Sequence, residues 1–191
     1  MRNRPAVEAS PDARASIDAV LDRFGNSALQ LAANVGVRVI NLRAVETYRD
    51  RSPALRRLAS GVDEWPVPPA GLYVVAERTV YLRSLSPMTV IHETMHALDN
   101  ALGGNCYLSS TEHEIRTAFK DARAFVTPYA ASGLDEFFAE CGRAFFNAND
   151  ARSPWPAATP ERLRSYSPGM FDFFEATVAS LRPTCEAHQY R

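Results

Sequence analysis

Apolar residues recur along this chain with two different periods. Ile17, Val20, Leu21 and Phe24 fall on one face of a helix that opens with Ser10 as N-cap and Pro11 in its first turn, and closes at Gly25. A second helical piece, Ser27 to Ala33, leads into Val37 to Leu42, whose β-branched residues predict a strand. Ser52-Pro53 repeats the cap signature ahead of a short helix that reaches Ala59 and stops near Gly61. Leu72 to Val75 and Thr79 to Leu82 alternate with period two. They predict an antiparallel hairpin turned through Ala76-Glu77-Arg78, with an edge strand left free. The intervening VDEWPVPPA (62–70) carries three prolines and suits neither helix nor central strand, so it reads as a rigid loop or a lobe boundary.

From Ser86-Pro87 onward the helical period dominates. One helix should run from there to Gly103-Gly104. Ser109 with Glu112, and Thr111 with Glu114, match capping boxes that predict another helix running toward Phe125, closed by Pro128. A strongly apolar helix should span Leu134 to about Asn147, and after a loop, SPWPAATP (153–160), a last helix Pro168 to Leu181. No internal repeat is present. The pattern predicts an α+β fold in one domain over 1–191, with helices and a small sheet in 1–85 and a helical lobe in 86–191.

Composition narrows the partners. Lys plus Arg (21) nearly cancels Asp plus Glu (22), leaving a net charge of −1 and no long-range field for nucleic acid or an anionic membrane. Hydrophobic residues make up 46% of the chain, as in an ordinary globular protein, and a monomer is expected. The basic N-terminal residues are followed by no apolar signal-peptide core, and no apolar run approaches a membrane span. A cytoplasmic location or export by another route is therefore expected. Cys106, Cys141 and Cys185 form no C-x-x-C pair, which points to neither a cysteine zinc site nor a disulfide framework.

The candidate chemistry sits in VIHETMHALDN (90–100). Residues four apart on a helix lie about 5 to 6 Å apart on one face, so His92 and His96 can aim at one ion, and the geometry suits zinc. Glu93 falls about 100° around the helix from His92, off the metal but within reach of its water, where a general base belongs. Zinc lowers the pKa of that water from about 16 toward roughly 7, which is peptide-hydrolysis chemistry. The alternative is an amphipathic helix with two surface histidines.

A catalytic zinc needs a third protein ligand. The metzincin pattern would place glycine at Asp99 and histidine at Leu102, so that class is excluded. His113 and His188 have no spacing in their favour, and Asp99 reads as a neighbour of the ligands or a surface residue. In LDEFFAE (134–140), Glu136 and Glu140 share one face of an apolar helix, where carboxylates are costly unless a cation compensates them. Zinc could compensate one, and a ligand histidine could engage the other. Alternatively both face solvent and pair with arginines such as Arg143.

HETMH (92–96), Tyr129 and EFFAE (136–140) together resemble the gluzincin peptidases of the anthrax lethal factor type, which include the bacterial proline-proline endopeptidases. The resemblance implies a zincin-like fold with a small sheet packed on the HExxH helix, and one zinc per chain. It implies His92, His96 and Glu136 as ligands, Glu93 as general base, Tyr129 as donor to the tetrahedral intermediate, and Glu140 as the acid that steadies a ligand histidine. Tyr129 stands seven residues before Glu136, the spacing found in that family. The hairpin before the motif is similar to the strands that pair with substrate there. The function implied is a zinc metalloendopeptidase acting on a peptide or protein, and the family's habit suggests secretion. Two alternatives remain: a cytoplasmic regulatory peptidase with one partner protein, and a catalytically inactive zinc-stabilised binding module.

Overall fold

A computed structural model describes residues 3–104, 106–149 and 153–181. The chain opens on β1 (Ala6–Glu8), of which only Val7 is buried, too little for any periodicity to reveal. Ser10 caps α1 (Pro11–Leu21), which buries Ala13, Ile17, Val20 and Leu21. Helix α1 stops four residues earlier than expected, at Leu21, and a single 3-10 turn (Asp22–Phe24) leads into α2 (Gly25–Asn34). Gly25, at φ 77°, thus opens the second helix instead of ending the first. Then come β2 (Arg38–Asn41), α3 (Tyr48–Arg51) with a Thr47/Asp50 capping box, and α4 (Pro53–Arg57) capped by Ser52. The expected hairpin forms as β3 (Gly71–Val74) and β4 (Thr79–Leu82), with Arg78 at φ 47° in the turn.

The second half is helical: α5 (Pro87–Leu102), α6 (Leu108–Thr111), α7 (His113–Lys120), α8 (Leu134–Phe145), α9 (Pro160–Tyr166) and α10 (Pro168–Ser180). The single helix expected from the capping boxes is broken, because Glu112 is extended (φ −71°, ψ 124°) between α6 and α7, and neither Ser109 nor Thr111 caps α7. Ser109 instead donates its amide and hydroxyl to Asp99 at 2.8 and 2.6 Å. Asp99 is therefore no surface residue: it is fully buried, and its carboxylate ties α6 to α5. Helix α9, capped by Thr159, lies between the proline-rich loop and α10, a stretch with no helix in the expected pattern. Cys185 and His188 lie outside the described residues.

The four strands run in the order β1-β2-β4-β3, parallel except for the β3–β4 hairpin, so β3 forms one edge. Alternate side chains feed two cores. Val7, Val39, Tyr73 and Val80 join the large core with α1, α2 and α5, while Ile40, Val74 and Tyr81 pack with Tyr48, Ala54 and Val62 on the other face. Every residue of α5 from Thr89 to Asn100 is buried, because the sheet, α1, α2 and α8 surround it. Both histidines thus sit on a helix held by the sheet, α1, α2 and α8.

Candidate functional site

Helices α5 and α8 assemble the site, and two glycines set how closely its parts approach. A Cβ on Gly142 would lie 2.4 Å from Cε of Met95, so any larger residue there would force the Met95 side chain or the crossing of α8 on α5 to shift. A Cβ on Gly71 would lie 2.5 Å from Cγ of Glu93, so the start of β3 rides directly on that side chain. Glu136 stands in the first turn of α8, where the helix dipole favours a carboxylate.

The crossing brings His92, His96 and Glu136 together, and among the described residues they form a group able to hold a metal ion. The two Nε2 atoms are 3.2 Å apart, and Oε2 of Glu136 lies 3.1 Å from that of His92 and 3.4 Å from that of His96. On the far side of His92, Nδ1 meets Oε1 of Glu140 at 2.8 Å. Glu140 therefore partners His92, a choice the sequence left open, and a proton held on Nδ1 leaves the Nε2 lone pair free for a ligand bond. Thr127 donates to Oε2 of Glu140 at 2.6 Å. The Glu140–Arg143 contact exists as well, yet both residues are buried, not solvent-facing.

The residues fit a cation. Oε2 of Glu136 is buried with no hydrogen-bond partner, although the Nε2 atoms of both histidines lie beside it. Burial alone would lower the pKa of His92, but the adjacent carboxylates of Glu136 and Glu140 push it up to about 10. Burial opposes ionisation of Glu136 too, yet the two imidazoles hold it well below the usual carboxylate range. The carboxylates of Glu136 and Glu140 thus favour positive charge on the histidine side of the cluster.

Glu93 is buried outside this group, and burial pushes its carboxyl up, partly offset by His92 and His96. Tyr129 donates to Oε1 of Glu136 at 2.7 Å and, 42% exposed, lines the cleft. Burial and Glu136 both raise the Tyr129 pKa, keeping the phenol protonated. These residues line a cleft of ≈ 680 Å³ bounded by Trp65, Val67 and β3 on one side and by Tyr107, Asp135 and Trp155 on the other. A larger hollow, ≈ 890 Å³, lies between α7 and α10 beside His113, apart from this chemistry.

The supports of the cluster carry no signal in the sequence pattern. Trp155 stacks on Tyr129 (6.3 Å between centroids, 8° between planes), and Tyr107 sits 6.1 Å from the His96 ring. Trp155 was hidden in the proline-rich loop, and Thr127 carries no local signal, since its partner lies 13 residues on.

No family model and no curated protein matches the sequence. Among solved structures, the chain is similar to the Pro-Pro endopeptidase PPEP-2 from Paenibacillus alvei, with TM-score 0.63 and 20% identity, over 91% of this chain and 95% of that one. The likeness defines the fold: a mostly helical α+β fold with a small mixed sheet, like that of the endopeptidase.

Proposed function

We propose that the chain is a single zincin-like domain of gluzincin type that hydrolyses peptide bonds as a zinc-dependent metalloendopeptidase. The carrying observation is the convergence of His92, His96 and Glu136, with donor separations of 3.1 to 3.4 Å. Tetrahedral zinc about 2.0 to 2.1 Å from each donor would hold them about 3.3 Å apart. The fold shared with an endopeptidase agrees with this reading. The Pro-Pro preference in that neighbour's name belongs to that protein.

When bound, zinc supplies Lewis-acid polarisation of the scissile carbonyl and of the attacking water. Glu93, its carboxyl raised by burial, takes the water's proton and delivers it to the leaving amine. Tyr129 turns its hydroxyl from Glu136 to the developing oxyanion. Glu140 fixes the orientation and tautomer of His92. The substrate lies extended along the unpaired side of β3, whose Gly71, Leu72 and Tyr73 line the cleft.

Glu93→Gln tests the assignment. The zinc-loaded variant should cleave a peptide library about 10² to 10⁴ times more slowly than wild type while keeping its zinc. A wild type that binds zinc but cleaves no library peptide would instead mark an inactive binding module.

A further inference from the structure

All but one of the carboxylates that line the cleft have cationic partners. Glu140 meets His92 and Arg143, Glu136 lies beside both imidazoles, and Glu93 feels the charge of the same two histidines. Asp135 is the exception: among the described residues it has neither an ion pair nor a hydrogen bond. It is half-buried at the cleft wall, and neither carboxylate oxygen is sealed from solvent, so a ligand can reach it. The dipole at the start of α8 explains why a carboxylate is tolerated there, but supplies no counter-ion. Arg143, held against Glu140, is the only lysine or arginine among the described residues that lines the cleft.

Tyr107 stands near Asp135. Burial and the charge of Asp135 both raise its phenol, which therefore keeps its proton. Its hydroxyl has no partner among the described residues, and its ring, 6.1 Å from that of His96, walls the same end of the cleft. An unpaired carboxylate, a hydroxyl free to accept an N–H and an aromatic ring are the groups that hold an ammonium or a guanidinium. The direction of β3 says which part of a substrate reaches them. Gly71 rides on Thr89 and Glu93, and Tyr73 donates to Asn100 at 3.1 Å, so β3 runs the same way as α5. A substrate strand antiparallel to β3 therefore carries the residues before its scissile bond past His96 to the Tyr107 end.

We infer that Asp135 is a specificity residue that, beside Tyr107, binds a cationic group of the substrate on the N-terminal side of the scissile bond, so that the site selects peptides carrying positive charge there. The inference rests on the peptidase reading above. The cation has two sources, a Lys or Arg side chain or the free α-amino group of the peptide.

Zinc-loaded wild type, Asp135→Asn and Asp135→Lys would be given capped peptides scanned with Lys/acetyl-lysine and Arg/citrulline pairs at each position, and matched peptides with free or acetylated N-termini. Binding of the same peptides would be measured by calorimetry in a Glu93→Gln background, which prevents turnover. At one position before the scissile bond, or at the free N-terminus, the charged member should exceed its neutral mate at least ~10-fold in kcat/KM and in affinity. Asp135→Asn should bring that ratio near one at unchanged zinc content, and Asp135→Lys should take it below one. Equal handling of charged and neutral mates by wild type overturns the inference and leaves the peptidase standing. So does a preference that lies only after the scissile bond, or one that survives Asp135→Asn, which would reduce Asp135 to a helix-start residue read by a lower Tm alone. If nothing is cleaved, the peptidase reading fails, and calorimetry alone decides Asp135: charge-selective binding lost in Asp135→Asn supports it, and unselective or absent binding refutes it.

Discussion

Tyr129 illustrates how single atoms are shared in this site. Its hydroxyl donates to Glu136, and its ring lies 5.7 Å from that of His92 and stacks on Trp155. Tyr129→Phe keeps the stack and removes one donor, so kcat should fall about 10²- to 10³-fold with zinc content and Tm unchanged. Cleavage within threefold of wild type would remove Tyr129 from the chemistry. Glu140 acts one bond further out. Glu140→Gln should weaken zinc binding about 10- to 100-fold, read by competition with a chromogenic chelator, because the amide is a poorer acceptor for Nδ1 of His92. Unaltered affinity would show that Thr127 and packing alone orient the ring.

At the scale of elements, the decisive contacts are those between α5 and its neighbours. Gly142→Ala would drive a methyl into Met95, with Cε at 2.4 Å and Sδ at 2.6 Å, and should destabilise the fold by about 1 to 3 kcal/mol in a urea titration. Restoring room with Met95→Ala in the same chain should not recover full stability, because the thioether is itself core. Additive effects of the two changes would contradict a direct clash. The Ser-Pro starts of α1, α4 and α5 and the β3–β4 hairpin were legible because caps and alternation are local. The α6–α7 break was not, because it depends on Asp99, ten residues upstream of Ser109, claiming the cap. Nor was β1, whose three residues owe their conformation to pairing with β2. The group of His92, His96 and Glu136 that could hold a metal was legible for a similar reason: the two histidines are one helical turn apart, and Glu136 shares a short apolar helix with Glu140. What escaped was the choice of partner for Glu140 and the buried position of Arg143, both fixed by the crossing of α5 and α8.

For the whole molecule, a cluster of two buried histidines and a half-buried carboxylate ties the helix at the centre of the fold to α8. An ion bound only by the folded state adds about 2.7 kcal/mol at a free concentration a hundred times its Kd, so chelation should lower Tm and refilling should restore it. A Tm indifferent to chelator and zinc would separate folding from the metal. If Glu136 completes a metal site with His92 and His96, zinc per chain will show it, by elemental analysis of wild type and Glu136→Ala purified side by side without added metal. About one zinc in wild type and a clear loss in the variant are expected. A wild type that takes up no zinc even on refilling, or a variant that keeps it in full, would contradict the site.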